Sequence, residues 1–142
     1  MGKLQEDIVS TANNFVSNMR EAGFPDFDFS IESLEEVDGF LGSFEGENLD
    51  EEALFNVSSM VGCYIFETAR QNYGGEYYWL EDEQQPILIA GEPDFSVSIR
   101  VWQKVKGRVL NGIEDNIPFY IAGYKEQIEK GKQTKGHCAT IV

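Results

Sequence analysis

The chain has 142 residues, 42% of them hydrophobic and 13% aromatic, with a formal net charge of −14 at pH 7. That length fits one domain, 1–142, and the apolar content belongs to a folded body rather than to a disordered acidic tract. No run approaches the roughly 18 apolar residues of a membrane-spanning helix, and the opening MGKLQEDIVSTANNF has acids where a secretory signal needs an apolar core, so no membrane association and a cytosolic location are expected.

Residues 3–22 place Leu4, Ile8, Ala12, Phe15 and Met19 at spacings of three or four, which predicts an amphipathic helix stopped by Gly23 and Pro25. Phe27, Asp28 and Phe29 alternate, and either add a short strand or pin two aromatics into the core. Ser33 with Glu36 reads as a capping box opening a second helix whose apolar face is Leu34, Val37, Phe40, Leu41 and Phe44. Asp50 is a good N-cap for a long third helix over 50–72, with Glu51 and Glu52 in the first turn where the helix dipole favours acids. That helix is apolar nearly all round and is therefore central, and Gly62 within it predicts a close crossing by another element.

After the stop at residues 72–75 the register becomes extended. Residues 76–80 (EYYWL) and 87–90 (ILIA) form a hairpin around the acidic tip EDEQQP, and 95–99 (FSVSI) alternates as a third antiparallel strand. A switch to helix near Arg100 carries Trp102, Val105 and Val109, and Asn111 with Gly112 ends it. A last helix over about 115–130 takes Pro118 in its first turn. The basic and apolar tail, 131–142, either frays or lays Ala139 to Val142 along a sheet edge. The expected class is α+β: about five helices on a small antiparallel sheet of three to four strands.

Several chemistries are excluded by residue type. One histidine, His137 beside Cys138 in the tail, makes neither a credible Ser–His–Asp set nor a Cys–His dyad, and no His/Cys spacing builds a zinc site. The run DFDFS at 26–30 begins like a calcium loop, but Ile31 stands where the turn needs Gly and Val37 where a bidentate Glu is required. Gly74 and Gly75 follow a helix, whereas phosphate loops run from strand to helix. No catalytic residue, metal or cofactor is expected. The bases Arg100, Lys104, Lys106 and Arg108 offset the protein's own acidity, and nucleic acid is not expected as a partner of so acidic a chain.

Two features point elsewhere. The charge is polarised: residues 1–60 hold fourteen acids against two bases, −12, whereas 95–142 hold four acids against eight bases, +4. Asp26, Asp28, Glu32, Glu45 and Glu47 around the early loops, with Glu81, Asp82 and Glu83 at the hairpin tip, are the acids that no helix start explains. The second feature is Glu67, which follows the most apolar stretch of the third helix. It needs a partner such as Arg70, Arg100 or a tyrosine hydroxyl, or else it serves as an acid/base or ligand-binding group. Tyr77, Tyr78 and Trp79 just beyond it are either core or interface anchors.

The stretches GCYIFE at 62–67 and NYGGEYYW at 72–79, with NGIED at 111–115 and Phe119–Tyr120, resemble a pattern in small bacterial proteins without an assigned activity. In these a glycine- and glutamate-bearing helix runs through a Gly-Gly turn into an aromatic strand. The resemblance spans about 33–125 and implies a single α+β domain and a bacterial origin. It implies no functional residues.

The reading that follows is a non-enzymatic acidic protein that docks a basic protein partner, in its concrete form an immunity-type inhibitor of a cationic toxin. One rival is a small-molecule-binding domain or weak enzyme built on Glu67 and nearby aromatics. The other is a housekeeping domain whose acidity maintains solubility.

Overall fold

Asp50 begins the helix on which everything else is packed. In the computed structural model, which describes residues 2–44, 47–112 and 116–141, the Asp50 Oδ1 accepts from Ala53 N–H at 2.7 Å and α3 runs from Glu51 to Tyr73. Every residue from 61 to 69 is buried, as its all-round apolarity requires. Around it pack α1 (Lys3–Glu21), α4 (Val101–Asn111) and α5 (Ile117–Gln133), with α2 (Ser33–Gly42) resting on α4 and α5.

The remaining strands form one sheet, β1 (Glu76–Leu80), β2 (Gln85–Ala90), β3 (Ser96–Ile99) and β4 (Cys138–Ile141), ordered β1-β2-β3-β4. Register pairs Tyr77 with Leu88, Leu88 with Ile99, and Ile99 with Ile141, so these four share the face turned to the helices. The opposite face carries Tyr78, Ile89, Ser98 and Thr140. The class is α+β, five helices on a four-stranded sheet among the described residues. The sheet is mixed rather than antiparallel throughout: the tail adds an edge strand, and β4 pairs with β3 in parallel. The reason is the connection, because two helices separate β3 from β4 and return the chain to the same end of the sheet.

One local expectation changes, and one pair of alternatives is decided. Ser33 is the first helical residue and does not cap; its hydroxyl lies 2.6 Å from Tyr64 Oη and donates to Ser30 O at 2.7 Å. The entry to α2 is made instead by tight turns through residues 30–35. Residues 27–29 are not a strand, since Phe29 takes φ +63° and Asp28 Oδ1 accepts from Ser30 N–H at 3.1 Å. They pin the aromatics: Phe27 is buried, and Phe29 stacks on Tyr64 with centroids 4.9 Å apart.

Gly62 behaves as its sequence position predicts. The Trp102 indole of α4 lies so close that a Cβ on Gly62 would stand 2.5 Å from its Cδ1. The missing side chain lets two helices cross with a tryptophan between them, and that tryptophan reaches the surface beside α3.

Candidate functional site

Glu67 faces the sheet from α3, and its side chain is 2% exposed. Arg70, one turn along, donates Nε–H to Oε2 at 2.7 Å and Nη2–H to Oε1 at 2.8 Å. Tyr77 of β1 donates its hydroxyl to Oε2 at 2.7 Å, and Gln71 adds a long bond at 3.4 Å. Burial opposes ionisation of Glu67, but the donors from Arg70 and Tyr77 outweigh it and hold the carboxyl below its usual range. Burial, then the adjoining carboxylate, pushes the Tyr77 phenol well up, so it stays a donor. This carboxylate is fully engaged and leaves no open position for a substrate or a proton relay. It ties helix to sheet.

The other acids do not gather on one face. Asp28 sits beside the C-terminal half of α3, where Phe29 O accepts from Asn72 and Phe29 N–H donates to Tyr64. The Ser30 hydroxyl and amide hold the exposed Asp28 carboxyl below its usual value. Asp26 adjoins it, and Glu32 acts electrostatically on Tyr73 at the end of the same helix. Glu83, by contrast, lies beside the N-terminal half of α3, near Leu54, Phe55 and Ser58. Ser58 and Asn72 are separated by roughly 20 Å along the axis at 1.5 Å per residue. Glu81 and Asp82 share the exposed tip with Glu83, Glu47 is exposed ahead of α3, and Glu45 lies outside the described residues. Among the described residues no group of three or more His, Cys, Asp or Glu could hold a metal ion.

The aromatic residues do converge. Phe55 of α3 is 58% exposed and Trp79 of β1 is 41% exposed. Both meet the half-buried Trp102 edge to face, with centroids 5.8 and 6.3 Å away. The chain's two tryptophans are thus side by side. On one side of this aromatic ridge is a hollow of about 310 Å³ against α1, reaching Leu4, Asp7, Cys63 and Pro86. On the other is an open cleft of about 500 Å³ between α3, the hairpin tip and α4, bordered by Glu51, Ser58, Glu83, Gln85, Gln103 and Lys106. Glu83 is held there by Arg100, Nη1 to Oε2 at 3.0 Å. Burial pushes the Cys63 thiol up to about 12, which makes it an inert neighbour rather than a nucleophile.

Tyr77, Tyr78 and Trp79 therefore part company. Tyr77 joins the Glu67 site, Tyr78 donates to Glu92 at 3.0 Å across the outer face of the sheet, and Trp79 alone joins the aromatic ridge, lining the smaller hollow. His137 bonds Gln127 at 2.8 Å and leaves Cys138 exposed beside it, so no dyad forms.

One ion pair was not anticipated. Arg108 and Asp38 are both buried, with Nε to Oδ1 at 2.9 Å and Nη2 to Oδ2 at 3.2 Å, and Asp38 also accepts from Ile117 N–H at 2.9 Å. The signal was present: Asp38 falls four residues after Leu34 on the buried stripe of α2, and Arg108 falls three after Val105 on that of α4. Phe55, Ser58 and Gln85 gave no comparable signal, because a cleft wall is assembled from three elements.

No protein-family model matches this chain, and no curated protein or solved structure is significantly similar to it.

Proposed function

We propose that the protein is a non-enzymatic binding module that docks a basic protein, with the Phe55–Trp79–Trp102 ridge as the anchor and an immunity-type inhibitor of a cationic toxin as the concrete form. The observation that carries this reading is the convergence of two exposed aromatics on a half-buried tryptophan, forming one ridge between two hollows on a chain of charge −14. Exposed aromatic side chains that flank a cleft are typical interface anchors. A strongly acidic surface steers a basic partner toward them and rejects acidic ones. The saturation of Glu67 argues against the rival in which that carboxylate does chemistry.

The test uses purified cationic nuclease toxins, including any encoded beside this chain. Inhibition of nuclease activity, with binding that weakens as salt rises and is lost in the Phe55→Ala/Trp79→Ala double variant, is the expected result. Neither inhibition nor salt-sensitive binding across the panel would overturn the proposal.

A further inference from the structure

The larger lobe of the cleft has a chemistry more specific than acidity. Among the described residues four buried side-chain polar atoms lack a hydrogen-bond partner: Ser58 Oγ, Gln85 Oε1, Arg100 Nε and Trp102 Nε1. Two of them, Ser58 Oγ and Gln85 Oε1, belong to this one lobe, while the Trp102 N–H turns toward the Cys63 thiol. Folded proteins pair nearly all such atoms, and an unpaired one costs about 1–3 kcal/mol. Their concentration in one wall points to an occupant.

The orientation of the Gln85 amide is set by its neighbour. Its Nε2 donates to Glu83 Oε1 at 3.2 Å, which leaves Oε1 as an acceptor without a donor. The residue is only 3% exposed, and Ser58 only 6%. The Trp102 N–H lies on the Cys63 side of the indole, toward the smaller hollow. The larger lobe is left with the unpaired Gln85 Oε1, the Ser58 hydroxyl and the Glu51 carboxylate beside Phe55 and Trp102, while Glu83 already accepts from Arg100, Gln85 and Gln103. Among the described residues, Lys106 on the rim is the one cation that lines it.

We infer that this lobe takes an arginine side chain of the basic partner. A guanidinium offers five N–H donors and no acceptor, lies flat against aromatic rings, and is desolvated more cheaply than an ammonium. Acceptors set round an aromatic wall match that pattern. A lysine would instead bring three donors on a compact, strongly hydrated point charge. The inference rests on the docking reading above and names the group that enters the cleft.

Trp102 lines this lobe, so fluorescence titration at low salt reads it directly. The probes are N-acetylated, C-amidated peptides of sequence GSXSG with arginine, lysine or citrulline at X. The arginine peptide is expected to bind at least fivefold more tightly than the lysine peptide, and the citrulline peptide at least tenfold more weakly than the arginine one. Glu51→Gln should weaken arginine binding by threefold or more, and Lys106→Glu should strengthen it by a similar factor. Equal affinity for arginine and lysine, lost in Phe55→Ala/Trp79→Ala, would overturn the arginine assignment and leave docking of a basic partner standing. Citrulline binding as tightly as arginine would overturn it too, in favour of a neutral polar occupant. No binding of any peptide would also overturn it, while the toxin panel still decides the docking proposal on its own.

Discussion

The two halves of α3 treat their polar groups in opposite ways. Around Glu67 every strong donor and acceptor is matched: Arg70 and Tyr77 saturate one buried carboxylate within 2.8 Å. Around Ser58, two to three turns earlier, aromatic rings are left in solvent and buried acceptors are left without donors. A saturated carboxylate has spent its interactions on the fold. A cleft with unmatched groups retains interactions for something else. Burial and a displaced pKa do not by themselves mark a site; unmet hydrogen-bonding capacity beside exposed anchors is the more discriminating observation.

The comparison breaks most visibly if a closed polar site proves dispensable. Asp38→Ala should strand the Arg108 guanidinium in the core and cost about 3–5 kcal/mol, read as a lowered urea midpoint. Glu67→Gln should cost about 2–3 kcal/mol, since it removes bonds from Arg70 and Tyr77 to a charged acceptor. Its pH dependence has a defined sign. The folded carboxyl sits below its ordinary value, so its stabilisation is present above the usual carboxylate range and is lost as pH falls through the folded value. Urea midpoints of wild type and Glu67→Gln should therefore converge as pH is lowered from 7 toward 3.

Gly62→Ala sharpens the boundary between the two halves. The new Cβ would meet the Trp102 indole, with an expected cost of about 1–2 kcal/mol and a shift in tryptophan emission as the ridge moves. The smallest stability effect belongs to the cleft itself. Phe55→Ala/Trp79→Ala removes side chains about half in solvent and should change stability by about 1 kcal/mol or less while abolishing toxin binding.

Much of the fold was legible because periodicity acts locally. The apolar repeat of α1, the Asp50 cap, the hairpin and the crossing at Gly62 each follow from neighbouring residues. The Ser33 cap was misread because Tyr64, thirty-one positions away, takes its hydroxyl. The parallel edge strand was only half legible, since its direction depends on how two helices return the chain. The same limit applies to function. Trp79 was legible only as one of three aromatics that could be core or anchor, and the acids chosen with it separate into groups at opposite ends of α3. Phe55 and Gln85 acquire meaning only where helix, hairpin and α4 meet.

Amide and indole chemical-shift mapping by NMR during titration with the arginine peptide tests the division most directly. The account predicts shifts at Phe55, Ser58, Gln85 and the Trp102 indole, with Glu67, Arg70, Tyr77 and the loop at 26–32 unmoved. Shifts centred on Glu67 or on the Asp28 loop, with the Trp102 indole silent, would contradict it.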